Sequence, residues 1–242
     1  MKKKMVLIVL ALGLLGVLAA CGQDEQPQSA SASSSAESSA LDESVEETSG
    51  GTLVAVFSWA DNANLPADVD VVSAATLNKS NDGVVGDTQI MAETAAKATG
   101  GDLFEIRCET PYPSDEEASY EQAKQEQLNQ TRPALAAQVD NMDDYSTIVL
   151  VYPNWWGGLP MPVCTFLESY DFNKKTIVPV CCYEAEGSGA GSSRDDIAKL
   201  CDAYVTVGYN LRGNAAATSG TRTDFTNWLN ELPVNYCCRP WK

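Results

Sequence analysis

Residues 149–158 read VLVYPNWWGG, and two adjacent tryptophans stand where this apolar run ends in glycine. Flat rings beside Asn154 and Gly157 would suit a flat ligand, because glycine lets the backbone approach it closely. A large ring at the end of a strand is also commonly part of the hydrophobic core. Residue type alone therefore leaves two interpretations open, an aromatic binding platform or core packing.

The sequence contains no histidine. This absence excludes Ser-His-Asp and Cys-His catalysis, HExxH metal sites and any imidazole general base. Seven of the eight cysteines follow Cys21 and none of them forms a CxxC pair, so neither a zinc site nor a thioredoxin-like site is indicated. Few other absences narrow the possible functions so strongly.

The chain is acidic, with a formal net charge of −17. Setting aside the three N-terminal lysines and the seven acids of residues 22–50 leaves −13 for residues 51–242. A globular unit this acidic does not suit nucleic acid or anionic lipid as a partner for its surface. We therefore expect no nucleic-acid binding.

The N-terminus has the pattern of an export signal. Lys2, Lys3 and Lys4 precede an apolar run that ends as LAAC. This ending resembles the lipobox of bacterial lipoproteins, which implies that Cys21 is lipidated and becomes the first residue of the mature protein. The alternative is an ordinary cleaved signal followed by a chance cysteine. We expect a signal peptide at 1–20 and an extracytoplasmic protein, lipid-anchored to the bacterial cell membrane.

The segment after the signal differs in composition from the rest of the chain. Residues 22–50 contain nine serines, seven acids and no lysine or arginine. Such a segment buries too little apolar surface to offset the entropy lost on ordering. We predict that residues 21–50 form a disordered tether between the lipidated cysteine and one folded domain, residues 51–232, followed by a tail, residues 233–242.

Five apolar patterns in the folded part predict strands. The runs at 53–58, 147–152 and 176–183 are almost continuously apolar, which is typical of parallel strands covered on both faces. The runs at 102–107 and 203–211 alternate between apolar and polar residues, which favours the edges of a sheet. Their spacing leaves room for a helix between most of them.

Helical patterns occupy those spaces, near 87–99, 115–128, 160–170, 193–201 and 222–232. Alternating strands and helices predict an α/β fold with a doubly wound five-stranded parallel sheet in the order 2-1-3-4-5. Ligands bind such sheets outside the carboxyl ends of the central strands. The loops that matter are then those after Ser58, Tyr152 and Tyr183.

The stretch YPNWWGGLPMPVCTFLESYDF, residues 152–172, resembles a signature of the flavodoxin-like family. The resemblance continues through DLFEI at 102–106, PYP at 111–113 and TIVPVCCYEAEGSGAG at 176–191, and it covers about residues 52–232. It implies one non-covalent FMN held by three loops. The phosphate would lie on the first loop and the flavin ring between the other two.

The resemblance also implies which residues bind the cofactor. They are Ser58, Trp59, Asn62 and Thr88 in the first loop, Pro153, Asn154, Trp155, Trp156 and Gly157 in the second, and Glu184, Gly187, Ser188 and Gly189 in the third. We expect Trp155 to lie against the flavin ring and Trp156 to pack beneath the loop. Negative charge at Glu184 and Glu186 would favour a low reduction potential.

The sequence departs from the family pattern in the first loop, since a long segment separates Ser58 from Thr88. Asp87 stands where an amide would suit a phosphate better, unless its carboxylate turns away to cap its own helix. Two plainer interpretations stay open: residues 86–88 are only a helix start, and residues 184–193 are only a flexible loop.

Two functional hypotheses follow. The first is a membrane-anchored, FMN-binding protein that transfers electrons to an unidentified redox partner or reduces a small acceptor such as a quinone. The second is a cofactor-free lipoprotein that keeps the flavodoxin fold as a binding or interaction module.

Overall fold

The structure is a computed structural model of the 242-residue chain, and it describes residues 50–66, 77–80, 83–184 and 189–232. The predicted signal peptide, the lipidated Cys21, the tether up to residue 49 and the C-terminal tail lie outside the described residues. Gly187 and Ser188 of the predicted third loop do so as well. These assignments therefore stay predictions.

The described residues form strands and helices that alternate along the chain. In order they are β1 (Gly51–Val56), α1 (Trp59–Asn62), β2 (Leu77–Ser80), β3 (Gly83–Gly86), α2 (Asp87–Thr99), β4 (Asp102–Glu105), α3 (Glu116–Asn129), β5 (Tyr145–Pro153), α4 (Met161–Glu168), β6 (Thr176–Tyr183), α5 (Ser193–Leu200), β7 (Tyr204–Val205), β8 (Tyr209–Arg212) and α6 (Ser219–Glu231).

The main sheet is parallel and has the strand order β4-β1-β5-β6, with β7 and β8 both paired along the outer side of β6. Strand β1 pairs with β4 on one side and with β5 on the other. If β7 and β8 are counted as two halves of one strand, this is the predicted order 2-1-3-4-5. The predicted doubly wound α/β fold is confirmed.

The last strand differs from the prediction, because residues 203–211 do not form one continuous strand. Strand β6 pairs with β7 at Thr176 and Ile177 and with β8 only from Val180 onward. The interruption lies opposite Pro179, which has no N–H to donate to a neighbouring strand. Gly208 packs there so closely that a Cβ would lie 2.9 Å from the carbonyl oxygen of Pro179.

A hairpin between α1 and α2 was not predicted. Strands β2 and β3 pair antiparallel, from Leu77 opposite Gly86 to Ser80 opposite Gly83. The sequence NDG at 81–83, whose glycine begins β3, is a hairpin signal, since these residue types tolerate the backbone conformations of tight turns. The hairpin forms its own two-stranded sheet beside the main one.

The core has two layers, one on each face of the main sheet. Along β1, Leu53 and Ala55 pack toward α4 and α5, whereas Val54 and Val56 pack toward α2 and α6. This alternation follows from the two-residue period of a strand, and burial on both faces explains its continuous apolar run. None of the helices in the described ranges combines the length and the apolar character that crossing a lipid bilayer requires.

Candidate functional site

The site lies at the carboxyl ends of the two central strands and their neighbour. Ser58 follows β1, Asn154 follows β5 and Glu184 follows β6. Since β1, β5 and β6 are adjacent and parallel, the loops after them meet at one edge of the sheet. This is the edge at which doubly wound proteins bind ligands.

The loop after β1 and the start of α2 come together at a small group of polar residues. Ser58 is buried, and its Oγ atom has no hydrogen-bond partner among the described residues. This atom faces Gly86 so closely that a Cβ at position 86 would overlap it. The same Cβ would lie 3.6 Å from Oγ1 of Thr88. We call the group formed by Ser58, Gly86 and Thr88 the Ser58 cradle.

The cradle lies at the N-terminus of α2. Gly86 is the N-cap of this 13-residue helix and, having no side chain, cannot cap it by a side-chain hydrogen bond. The first N–H groups of a helix have no intrahelical acceptor, and the helix dipole favours an anion beside them. The structure therefore brings the predicted residues Ser58 and Thr88 together, although a long segment separates them in sequence.

Trp59 and Asn62 lie on the short helix α1 and have different surroundings. The buried Nε1 atom of Trp59 has no hydrogen-bond partner among the described residues. The Asn62 amide nitrogen donates to the carbonyl oxygens of Ser58, at 2.9 Å, and of Ile106, at 3.0 Å. Its oxygen accepts from the Cys108 N–H at 2.7 Å. Asn62 thus links the loop after β1 to the segment after β4, and its side chain is fully used in doing so.

Asp61 is the carboxyl group beside the cradle. Its pKa is raised, chiefly by burial and next by the nearby charge of Glu105, while Arg107 opposes the shift. The Arg107 guanidinium lies 3.8 Å from the Asp61 carboxylate and donates to its backbone oxygen at 2.7 Å. The Ser58 hydroxyl is near enough to influence Asp61, but no hydrogen bond of normal geometry joins them.

Asp87 is fully buried, and its carboxylate does not cap its own helix. One oxygen accepts from the side-chain amide of Asn78 in β2 at 2.7 Å. The other accepts from the backbone N–H of Asn214, after β8, at 2.8 Å. Burial raises the pKa of Asp87, and these two hydrogen bonds oppose the rise. Both carboxylate oxygens are therefore engaged by protein groups.

The two tryptophans stand at a tight turn. The N–H of Trp155 donates to the carbonyl of Gly158 at 3.1 Å, and the N–H of Gly158 donates back at 3.0 Å. Trp156 and Gly157, between them, have φ values of 54° and 80°. Two successive positive φ angles are typical of a type I′ turn, which glycine adopts freely and tryptophan only with strain.

The turn directs the two rings to different places. Trp155 packs edge-to-face on Phe57 and Tyr112, with ring centroids 5.2 and 5.5 Å away. Trp156 is 50% exposed, contacts Tyr120 at 5.4 Å and has the Lys124 ammonium 5.9 Å from its centroid. The expectation that Trp156 packs beneath the loop is wrong, because the φ values of the turn place its ring at the surface.

The second and third loops touch through backbone. The side-chain amide of Asn154 donates to the Gly189 carbonyl at 2.7 Å, while its buried Oδ1 atom has no partner in the described structure. The N–H of Ser192 donates to the Gly157 carbonyl at 2.9 Å. Gly191, at a φ of 55°, leaves no room for a Cβ beside the same carbonyl. Gly157 and Gly189 are thus at the contact between the two loops, and their predicted role in binding the cofactor stays a prediction.

The remaining predicted residues lie at the ends of the strands. Pro153 is the buried last residue of β5 and pairs with Cys182. Glu184 is exposed and accepts a hydrogen bond from the Tyr120 hydroxyl at 3.2 Å. Burial, and then the Glu184 charge, raise the pKa of Tyr120 to about 12. Glu184 therefore contacts α3 through Tyr120.

A cavity of about 370 Å³ lies behind the tryptophan turn, between α3, α4 and α5. Its main polar groups are bonded to other protein groups. Arg132 binds Glu168 at 2.7 Å, Lys199 binds Asp196 at 3.2 Å, and Gln127 donates to the Trp155 carbonyl at 3.2 Å. None of its lining residues is among those with a buried, unpartnered polar atom in the described part of the chain, in contrast to Ser58.

Sequence reasoning missed several residues that shape the site. Phe57 and Tyr112 form the packing surface of Trp155, and Tyr120 contacts both Trp156 and Glu184. The PYP motif containing Tyr112 was the available signal. Tyr120 lies on a highly polar helix, and nothing in the sequence marks it.

Comparisons with known proteins agree with this geometry. A family model described as flavodoxin matches residues 80–232, which is more than half of the chain. Strand β1 and Ser58 precede the matched range. A search of curated proteins finds no significant match.

Solved structures with a similar fold include three flavoproteins. A protein from Bacteroides eggerthii assigned as a flavoprotein has 25% identity and a TM-score of 0.55, and the match covers 75% of this chain and 96% of that one. One from Bacteroides uniformis has 23% identity and a TM-score of 0.51, covering 75% and 99%. A flavoprotein from Lactobacillus acidophilus, solved in complex with FMN, has 18% identity and a TM-score of 0.46, covering 69% and 95%. Since the family model matches most of the folded part, the chain belongs to the flavodoxin family.

Proposed function

We propose that this protein is a flavoprotein that binds FMN at the carboxyl edge of its sheet and acts in electron transfer or as a small FMN-dependent reductase. The observation that carries the proposal is the buried Ser58 hydroxyl, which has no partner among the described residues and faces Gly86 at the start of α2. Membership in the flavodoxin family supports the choice of cofactor.

The unpartnered polar atoms fit the groups of FMN. Four of them, Ser58 Oγ, Trp59 Nε1, Asp61 Oδ2 and Asn154 Oδ1, are buried in the segments that follow the two central strands, and all but the carboxylate oxygen of Asp61 suit a group of FMN. A buried polar atom without a hydrogen bond costs about 1–3 kcal/mol, so a ligand that satisfies it gains that stabilisation. The Ser58 hydroxyl and the Trp59 N–H can donate to phosphate oxygens. The Asn154 oxygen can accept from an N–H of the flavin ring.

The backbone supplies the remainder of the phosphate site. Gly86 gives the first N–H groups of α2 no side-chain cap, and the helix dipole favours a phosphate there. Because Gly86 has no Cβ, the Ser58 hydroxyl packs directly beside the start of α2, and an anion in front of the helix could accept hydrogen bonds from both. Thr88, also buried at the cradle, offers a second hydroxyl. Asn62 supports the loop from behind through its three backbone hydrogen bonds.

The ring would be bound by the second and third loops. The aromatic side chains of Trp155 and Trp156 flank the turn, and the glycines at 157 and 189 leave backbone accessible there. When bound, FMN would accept and donate one or two electrons. The protein binds, orients and shields the cofactor, and no side chain has to act as an acid or base. The absence of histidine is compatible with a reaction in which the cofactor carries the electrons and no side chain transfers a proton.

We further propose that the protein is held at the outer side of a bacterial cell membrane by lipid on Cys21. The LAAC pattern and the acidic tether after it support this part of the proposal. An unidentified redox partner, in the membrane or beside it, would exchange electrons with the cofactor. Acyl chains would provide the attachment, because the acidic surface does not favour anionic lipid.

The test is a titration of the mature chain, residues 21–242 with Cys21→Ser, with FMN. We expect a bound flavin spectrum that bleaches on reduction and a melting temperature that rises with FMN concentration, because only a ligand of the native state stabilises it. No spectral change and an unmoved melting temperature at micromolar FMN would reject the proposal. That result would favour the cofactor-free interaction module.

A further inference from the structure

Asp87 joins three parts of the chain at the cradle. It begins α2 directly after Gly86, and it accepts hydrogen bonds from Asn78 in the β2–β3 hairpin and from Asn214 in the loop after β8. These partners lie 9 and 127 positions away in sequence. The carboxylate is completely buried, so water does not compete for these bonds.

Both partners of Asp87 are donors, since one is an amide NH₂ group and the other a backbone N–H. An ionised carboxylate presents two strong acceptor oxygens, whereas protonation makes one of them an O–H donor and a much weaker acceptor. An asparagine at 87, or a protonated aspartate, would place a donor against one of these donors. The arrangement therefore requires the negative charge, even though position 87 adjoins a site suited to anions.

We infer that Asp87 is a positioning residue for the cofactor phosphate: its ionised carboxylate holds the hairpin and the loop at Asn214 against the first turn of α2, and so keeps Gly86 beside Ser58. We call this set of bonds the Asp87 clamp. The inference rests on the proposed function, because it assigns the clamp a role in binding FMN. Asp87 is not itself a phosphate ligand in this arrangement.

The buried surroundings of Asp87 make the clamp dependent on pH. Within the described ranges, the titratable group coupled to it is the buried thiol of Cys182 on β6, whose pKa is raised by burial and then by Asp87. Burial raises the pKa of Asp87, so acidification protonates it at a higher pH than an exposed aspartate. The clamp should then open as the pH falls through that raised value.

The decisive experiment compares Asp87→Asn with Asp61→Asn. If charge repulsion alone mattered, removing either carboxylate near the cradle would strengthen FMN binding. The clamp predicts that Asp87→Asn binds FMN roughly tenfold more weakly, from one lost hydrogen bond and one donor set against a donor. Asp61→Asn should bind FMN at least as tightly as the wild type. Tighter or unchanged binding by Asp87→Asn would overturn the inference.

Riboflavin, which lacks the phosphate, separates the clamp from a general disturbance of the site. Its dissociation constant should be the same for Asp87→Asn and wild type. A comparable loss for both ligands would show a merely structural role and contradict the inference. If Asp87→Asn does not fold, Asn78→Ala replaces it, because removing that donor leaves one oxygen of Asp87 unpaired and should weaken FMN but not riboflavin.

A measurement on the apoprotein tests the Asp87 clamp without the cofactor. The NMR shift of the Asn214 backbone N–H should titrate with the Asp87 carboxyl in the wild type and lose that titration in Asp87→Asn. If the wild type fails to bind FMN, the proposed function fails while this titration still decides whether the clamp exists. If the Asn214 shift does not respond to the titration of Asp87, the clamp does not exist, whether or not FMN binds.

Discussion

The Ser58 hydroxyl and the α-carbon of Gly86 face each other across a space too small for a methyl group. Ser58 lies at the start of the first loop, and Gly86 directly precedes α2. Neither local sequence shows that the two residues meet. The contact gives position 86 a role that its place in a strand does not explain. It also makes the site sensitive to the smallest possible substitution.

Gly86→Ala should abolish FMN binding. The added Cβ would overlap Ser58 Oγ and occupy the space in front of the α2 N–H groups, so the phosphate would be displaced. Isothermal titration with FMN measures the loss. Gly220→Ala is the matched control, because a Cβ at that position in α6 meets nothing within 4 Å. Normal FMN affinity in Gly86→Ala would contradict the location of the phosphate.

Ser58→Ala should weaken FMN binding by about 10- to 100-fold, the effect of losing one hydrogen bond to a charged group. The stability of the apoprotein should stay the same or rise, since the hydroxyl has no partner to lose. Ser119→Ala is the control, because Ser119 Oγ on α3 is also buried and unpartnered among the described residues. Equal FMN affinities for wild type and Ser58→Ala would remove Ser58 from the site.

The two tryptophans should respond differently to alanine. Trp155→Ala should lower the free energy of unfolding by about 3 kcal/mol, because the packing on Phe57 and Tyr112 is lost. Trp156→Ala should change it by less than about 1 kcal/mol, since its ring is half exposed and its backbone strained. Urea denaturation of both apoproteins measures the difference. Equal losses would show that the rings are not divided in this way.

Asp61→Asn should make the apoprotein more stable at neutral pH. The native pKa of Asp61 is raised above its ordinary value of 3.8, because burial favours the protonated carboxyl group. The contribution of Asp61 to the free energy of unfolding is therefore complete below pH 3.8 and is lost as the pH rises through the native pKa. The advantage of the variant should therefore shrink as the pH falls from 7 toward 4. Denaturation curves across this range provide the measurement.

Glu121→Gln is the control for the sign of that effect. Glu121 is exposed, and its pKa is lowered, first by its hydrogen bond from Gln125 and then by Lys124. The contribution of Glu121 to stability is therefore present above its unfolded pKa of 4.5 and is lost as the pH falls through its lower native pKa. A variant of Asp61 that behaved like this control would show that burial does not dominate at Asp61.

Much of the fold was predictable because each of these strands and helices is specified by the pattern of apolar residues within its own segment. Continuous apolar runs at β1, β5 and β6 arise from burial on both faces of the sheet, and their helices show a regular apolar period. The break between β7 and β8 was not predictable in this way. It depends on Pro179, a residue of the neighbouring strand, and pattern analysis treats each segment separately.

The site was predictable in its location but not in its bonding. The motif at residues 152–158 and the order of the strands indicated which loops meet. The destinations of the Asp87 carboxylate and the Asn62 amide depend on hydrogen bonds to residues up to 127 positions away. Sequence spacing carries no information about such partners.

The meeting of Ser58 and Gly86 also bears on how the first loop could change length. Ser58 and Gly86 are 28 positions apart in sequence but lie in contact, so the first loop closes on itself at this point. Closing a longer loop between fixed ends costs free energy that grows only with the logarithm of its length. A first loop of a different length would therefore change the free energy of closure only slightly, provided that Ser58 and Gly86 keep their contact.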